Sequence, residues 1–156
     1  MSNKILIAVD PSENALKAVK YAAGILRSDS QVTLYHVFFK TPPLDLREGE
    51  ILPHHPASFR GSTEEFKKWL SAQRSAAEES LDAAKKVLIK GGLDPKNIEV
   101  KIEEGKQGVA TDILNEVKEG GYDTVIVGRR GQSRLKRFFS GSVTAKIMHH
   151  AEDCAV

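Results

Sequence analysis

The 156-residue chain has a single cysteine, Cys154, so no disulfide can form within it, and a reducing compartment is the natural expectation. Long apolar runs are missing too. The longest, such as Ile5 to Val9 and Thr124 to Val127, fall far short of the ~20 residues a bilayer-spanning helix needs. The opening Met1-Ser2-Asn3-Lys4 leads straight into a strand-like run, without the apolar stretch and cleavage site of a signal peptide. A soluble, cytoplasmic protein is expected. There is no strong excess of charge of one sign: the net charge of +2 argues for neither nucleic acid nor membrane. The Gly-Lys-Ser/Thr ending of an ordinary P-loop is absent as well.

What is present fits one globular domain over 1–156. The chain is 40% hydrophobic and 28% charged. Lys4 to Asp10 reads as a buried strand, a β-branched apolar run that stops at Pro11-Ser12. Ala15, Leu16, Val19, Ala22, Ala23 and Leu26 recur at helical spacing, which predicts an amphipathic helix over 13–28, capped by Ser12 or Asn14. Gln31 to Phe38 reads as a second strand. Pro42, Pro43, Pro53, Pro56 and Gly61 then punctuate a long loop over about 39–62.

From Thr63 the longest helix begins. Its stripe runs through Phe66, Trp69, Leu70, Gln73, Ala77, Leu81, Ala84 and Leu88, and Gly91-Gly92 ends it. Ile98 to Ile102 suggests a third strand, Gly108 to Glu119 a third helix, Asp123 to Gly128 a fourth strand, and Ser142 to about His150 a fourth helix. Strands alternating with helices predict an α/β fold with an open parallel sheet and helices on both faces. Cys154-Ala155-Val156 has the character of a fifth strand without the length of one.

In such a sheet, ligands bind beyond the carboxyl ends of the strands, where strand order reverses. Asp10, Val37 and Gly128 all fall at strand ends. After the fourth strand comes Gly128-Arg129-Arg130-Gly131, then nine residues, then Gly141-Ser142 opening a helix. Glycines there permit positive φ and close backbone approach. The free N–H groups and dipole of the helix attract an anion, and a serine hydroxyl can cap or donate. Arg129, Arg130, Arg134, Lys136 and Arg137 lie within nine residues with no acidic residue among them. Two backbone cradles joined by a basic loop suit phosphates. A glycine turn beside a solvated basic loop is the plainer alternative.

The pattern Gly128-x2-Gly131-x9-Gly141-Ser142, preceded by Asp123 to Val127 and followed by Val143-Thr144, resembles the ATP-binding signature of the universal stress protein family. Ile5 to Ser12 and Leu34-Tyr35-His36-Val37 resemble that family's first two strands, and the likeness spans all but the 39–62 loop. The resemblance implies an adenine nucleotide α-hydrolase-like fold of strand order 3-2-1-4-5, here with a truncated fifth strand. It implies that Ala8, Val9 and Asp10 line the adenine and ribose end, and that Val37 offers its backbone to the adenine. Gly128, Arg129, Arg130, Gly131, Arg134, Gly141, Ser142, Val143 and Thr144 would hold ribose and phosphates. The ligand is expected to be ATP, AMP or another adenine nucleotide, with Mg2+ on the phosphates beside Asp10. A homodimer is implied as well, its interface altered by the short fifth strand.

Other features carry plainer readings. His54-His55 lacks further ligands at metal spacing. His149-His150 suits a helix C-terminus. Cys154 reads as a small apolar residue, Trp69 as packing, and His36 as a satisfied interior histidine. The basic run lacks aromatic interleaving beyond Phe138-Phe139, which ranks nucleic acid below phosphate. No catalytic residue set is evident. A nucleotide-holding regulatory module with at most slow hydrolysis therefore leads two alternatives. One is a scaffold that docks a protein partner through the 39–62 loop. The other is an ATP-using enzyme of the same fold, which would need a different loop where Asp10-Pro11-Ser12-Glu13 stands.

Overall fold

A computed structural model describes residues 3–38, 63–128 and 142–156. In chain order the elements are β1 (Lys4–Ala8), α1 (Glu13–Ile25), β2 (Gln31–Phe38), α2 (Thr63–Lys90), a 3-10 turn (Pro95–Asn97), β3 (Ile98–Glu104), α3 (Val109–Gly120), β4 (Thr124–Ile126) and α4 (Ser142–His150). The four strands form one sheet of order β3-β2-β1-β4, and every pairing is parallel. In place of a fifth strand, Ala155 makes one isolated parallel bridge to Thr124.

Burial explains why β1 is a continuous apolar run. Ile5, Leu6 and Ile7 are all 0% exposed, because a central strand is covered on both faces. Ile5 and Ile7 join Val32 and Leu34 against Val19, Leu81 and Leu88 of α1 and α2. On the opposite face Leu6, Tyr35 and Val125 meet Ile113, Val117 and Ile147 of α3 and α4. Two-residue alternation thus feeds two cores. The polar Thr33 buried within β2 is satisfied by the Tyr122 hydroxyl, 3.1 Å away.

Several boundaries differ from expectation. β1 stops at Ala8, two residues early, and β4 spans only Thr124–Ile126. α1 ends at Ile25 rather than residue 28, since Leu26 is already extended and an Arg27–Ser30 turn returns the chain to the sheet. β3 runs two residues further, to Glu104, because its pairing with β2 continues to the Phe38 register. In α2, Ala77, Leu81, Ala84 and Leu88 are buried as the stripe predicts, but Trp69 and Leu70 are half-buried and Gln73 is exposed. The carboxyl-terminal half of α2 carries the packing. The 39–62 loop, with His54-His55, lies outside the described residues.

Candidate functional site

The chain runs β1 to β2 to β3 toward one edge, then crosses to place β4 on the other side of β1. The switch point therefore lies between the ends of β1 and β4. At the β1 end, the Val9 N–H donates to the Tyr35 carbonyl at 2.9 Å. Asp10 follows, its carboxylate accepting from the Ser12 hydroxyl. The same hydroxyl oxygen accepts the Ala15 N–H at 3.1 Å and so caps α1. Ser12, one of the two expected caps, thus joins Asp10 to the positive end of a helix.

On the other side stands Gly128. Positive φ is not the reason for this glycine, contrary to the sequence-based argument for the cradle, since it is not among the positive-φ glycines. The reason is proximity. A Cβ there would meet the Asn14 carbonyl carbon and oxygen at 3.0 Å and the Ala15 nitrogen at 3.1 Å. The exit of β4 is pressed against the first turn of α1. The Thr144 hydroxyl then donates to the Gly128 carbonyl at 2.8 Å, tying the first turn of α4 to the same point. Two helix N-termini, the β1 exit and Gly128 meet at the switch point. Both dipoles place positive partial charge there.

Of the expected site residues, Ala8 and Asp10 are half-buried and Val9 is buried at the β1 end. Val37, 8% exposed, sits on β2 against the α3–α4 core. Val143 packs its side chain against that core. Thr144 has its one hydroxyl proton committed to Gly128, so it is built to position rather than to donate to a phosphate. Ser142 begins α4. Arg129, Arg130, Gly131, Arg134 and Gly141 lie outside the described residues.

Two further residues shape this end of the sheet, the first of them unassigned in the sequence. Asp112, on α3 and buried, accepts the N–H groups of Lys106 at 2.9 Å, Gln107 at 3.2 Å and Gly108 at 3.3 Å. Gly108, the α3 cap, needs its φ of +126° to turn into that arrangement. The loop leaving β3 is thereby pinned beside Phe38, whose carbonyl accepts the Gly105 N–H at 2.7 Å. An aspartate four residues past a glycine that opens a helix was the available signal. The second residue is His36, whose Nδ1 lies 2.7 Å from the Val9 carbonyl oxygen. It is the satisfied interior histidine expected. Burial pushes its pKa down, against opposing pulls from the Val9 carbonyl and the Asp10 charge.

Among the described residues no group of three or more His, Cys, Asp or Glu side chains could hold a metal ion. Asp10 supplies a carboxylate at the β1 end of the switch point. A single carboxylate suits a Mg2+ ion held mainly by phosphate oxygens and water, and not a metal bound by the protein alone. Burial raises the Cys154 thiol pKa, which disfavours the reactive thiolate and fits packing against the α3–α4 core.

The profile of the universal stress protein family matches residues 1–156. The chain belongs to the universal stress protein family. It is 28% identical over 155 residues to a universal stress protein of Synechocystis, covering 98% of this chain and 94% of that one. Its fold resembles universal stress protein UspA from Lactobacillus plantarum, with a TM-score of 0.70, 20% identity, and coverage of 99% of this chain and 95% of the other. Two further family members of similar fold were solved with ligands. One is an Arabidopsis thaliana protein with AMP bound (TM-score 0.62, 20% identity, 99% and 89% coverage). The other is in complex with cAMP (TM-score 0.57, 18% identity, 99% and 94% coverage). Among the described residues no helix is long and apolar enough to cross a membrane.

Proposed function

We infer that this universal stress protein holds ATP, or a closely similar adenine nucleotide, as a regulatory module in the stress response. The observation that carries the reading is the junction at Gly128. Its contact with α1 and its bond from Thr144 gather two helix N-termini at the switch point of a parallel sheet. Ala8, Val9 and the Val37 main chain would take the adenine and ribose. Phosphates would meet the α4 N-terminus around Gly141, Ser142 and Val143, with Gly131 giving backbone access and Arg129, Arg130 and Arg134 supplying charge. Asp10 would face a Mg2+ ion carried in on the phosphates, which would neutralise their charge. The AMP and cAMP bound by two relatives of this fold support the adenine class.

Holding is favoured over spending. Both acid–base groups described at the site, His36 and Asp10, are engaged by the chain itself.

Calorimetric titration of ATP, AMP and cyclic AMP tests the reading. The wild type should bind at least one of them, and a folded Gly141→Val variant should bind it far more weakly. A wild type that binds none, or a variant that binds equally well, would overturn it. Rapid turnover with a defined acceptor would favour an enzyme instead.

A further inference from the structure

The β1–β2 ladder stops one step short of where its own pattern would carry it. The register runs from Lys4↔Gln31 to Ala8↔Tyr35 and ends there. The Val9 N–H still donates to the Tyr35 carbonyl at 2.9 Å. In a parallel ladder the next bond would join the Val9 carbonyl to the Val37 N–H, because main-chain groups two residues apart on a strand face the same neighbour. That carbonyl instead faces the His36 Nδ1 at 2.7 Å. A carbonyl oxygen only accepts, so Nδ1 carries the proton, and a neutral ring then has its lone pair on Nε2.

We propose that His36 is a positioning residue of the nucleotide site: by occupying the Val9 carbonyl it ends the β1–β2 ladder and leaves the Val37 main chain to read the base. This inference rests on the nucleotide reading above and adds a cause for its selectivity. Val37 turns its N–H and C=O toward the gap where β1 leaves the sheet. A neighbouring donor and acceptor match adenine, whose edge offers an acceptor nitrogen beside a donor amine. They oppose guanine, which presents a carbonyl at the same position. The Val37 side chain is locked in the α3–α4 core, so the main chain cannot rotate to suit the other base. The His36 ring lies on the opposite face of the strand from that side chain, which lets one segment anchor to both layers.

Three variants test it. His36→Leu removes the donor, His36→Asn keeps a nitrogen donor branching from the same carbon as Nδ1, and His36→Gln moves the donor outward. Affinities for ATP and GTP are measured by calorimetry for each. The wild type should prefer ATP. His36→Leu should bind ATP about three- to tenfold more weakly with GTP little changed, the scale of one lost hydrogen bond. His36→Asn should restore the preference better than His36→Gln. An equal loss for both nucleotides, or no rescue by Asn, would reduce His36 to ordinary packing and overturn the proposal. A wild type that binds neither nucleotide removes the nucleotide reading and the proposal together. A wild type that binds ATP while His36→Leu keeps its full preference removes the proposal alone. If His36→Leu does not fold, 15N NMR of the wild-type imidazole decides at pH 8: a proton on Nδ1 supports the proposal, and one on Nε2 alone overturns it.

Discussion

The Thr144 hydroxyl donates to the Gly128 carbonyl across 2.8 Å, joining the first turn of α4 to the exit of β4. Both partners belong to the chain itself, so loss of the bond should register in the stability of the free protein. Thr144→Val keeps the shape and removes the donor. It should lower stability by about 1 kcal/mol, read from urea midpoints, and weaken ATP by a few-fold. Thr144→Ser should restore both. A variant with unchanged free stability but weaker ATP would make Thr144 a direct ligand rather than a positioning residue.

Gly128→Ala tests the other half of the junction. The added methyl would lie 3.0 Å from the Asn14 carbonyl group and 3.1 Å from the Ala15 nitrogen. All three neighbours are backbone atoms of a capped helix, which cannot swing aside as a side chain would. The expected loss is about 1–3 kcal/mol, the usual scale of overpacking. Thermal unfolding without nucleotide measures it, and an unshifted midpoint would show that β4 and α1 are not pressed together.

Much of this arrangement was legible in the sequence, for identifiable reasons. The run Ile5 to Val9 announced a strand covered on both faces, and alternation with helical stripes gave a parallel sheet. The Ser12 cap followed from residue chemistry. Strand ends were less legible, because they depend on partners. β1 stops at Ala8 since the Val9 carbonyl is taken by a histidine 27 residues away. Gly128 was singled out for positive φ and for close backbone approach; it does not use the first, and only the packed structure shows α1 against it. Asp112 escaped notice because an acidic residue in the first turn of a helix usually serves the dipole. Here it reaches back to the loop instead.

Asp112 gives the third prediction. Its carboxylate collects three backbone N–H groups at 2.9 to 3.3 Å in a buried setting. Asp112→Ala strands those donors and should cost about 1.5–3 kcal/mol, the range for hydrogen bonds to a charged group. Asp112→Asn keeps one acceptor oxygen and should lose less. The loop adjoins Phe38 through Gly105, next to Val37. Adenine nucleotide affinity should therefore fall along with stability in Asp112→Ala. Denaturant titration with parallel calorimetry reads both, and an alanine variant as stable as the wild type would deny the loop its anchor.

His36 gives the last prediction, in the pH dependence of stability. Burial holds its folded pKa below the ordinary 6.5, with the Val9 carbonyl and Asp10 only partly offsetting the penalty on the charged ring. Above about pH 7 the ring is neutral in both folded and unfolded chains, and it contributes no pH slope. As pH falls below about 6.5 the unfolded chain takes up the proton first, so stability drops until the folded pKa is passed. His36→Asn lacks that titration. Relative to this variant, the wild type should lose stability between about pH 7 and pH 5 and run parallel to it from pH 7 to 8. Urea midpoints of the two proteins across that range are the measurement. A constant difference at every pH would mean that His36 is not desolvated, and a wild type gaining on the variant toward acid would mean that Asp10 outweighs burial.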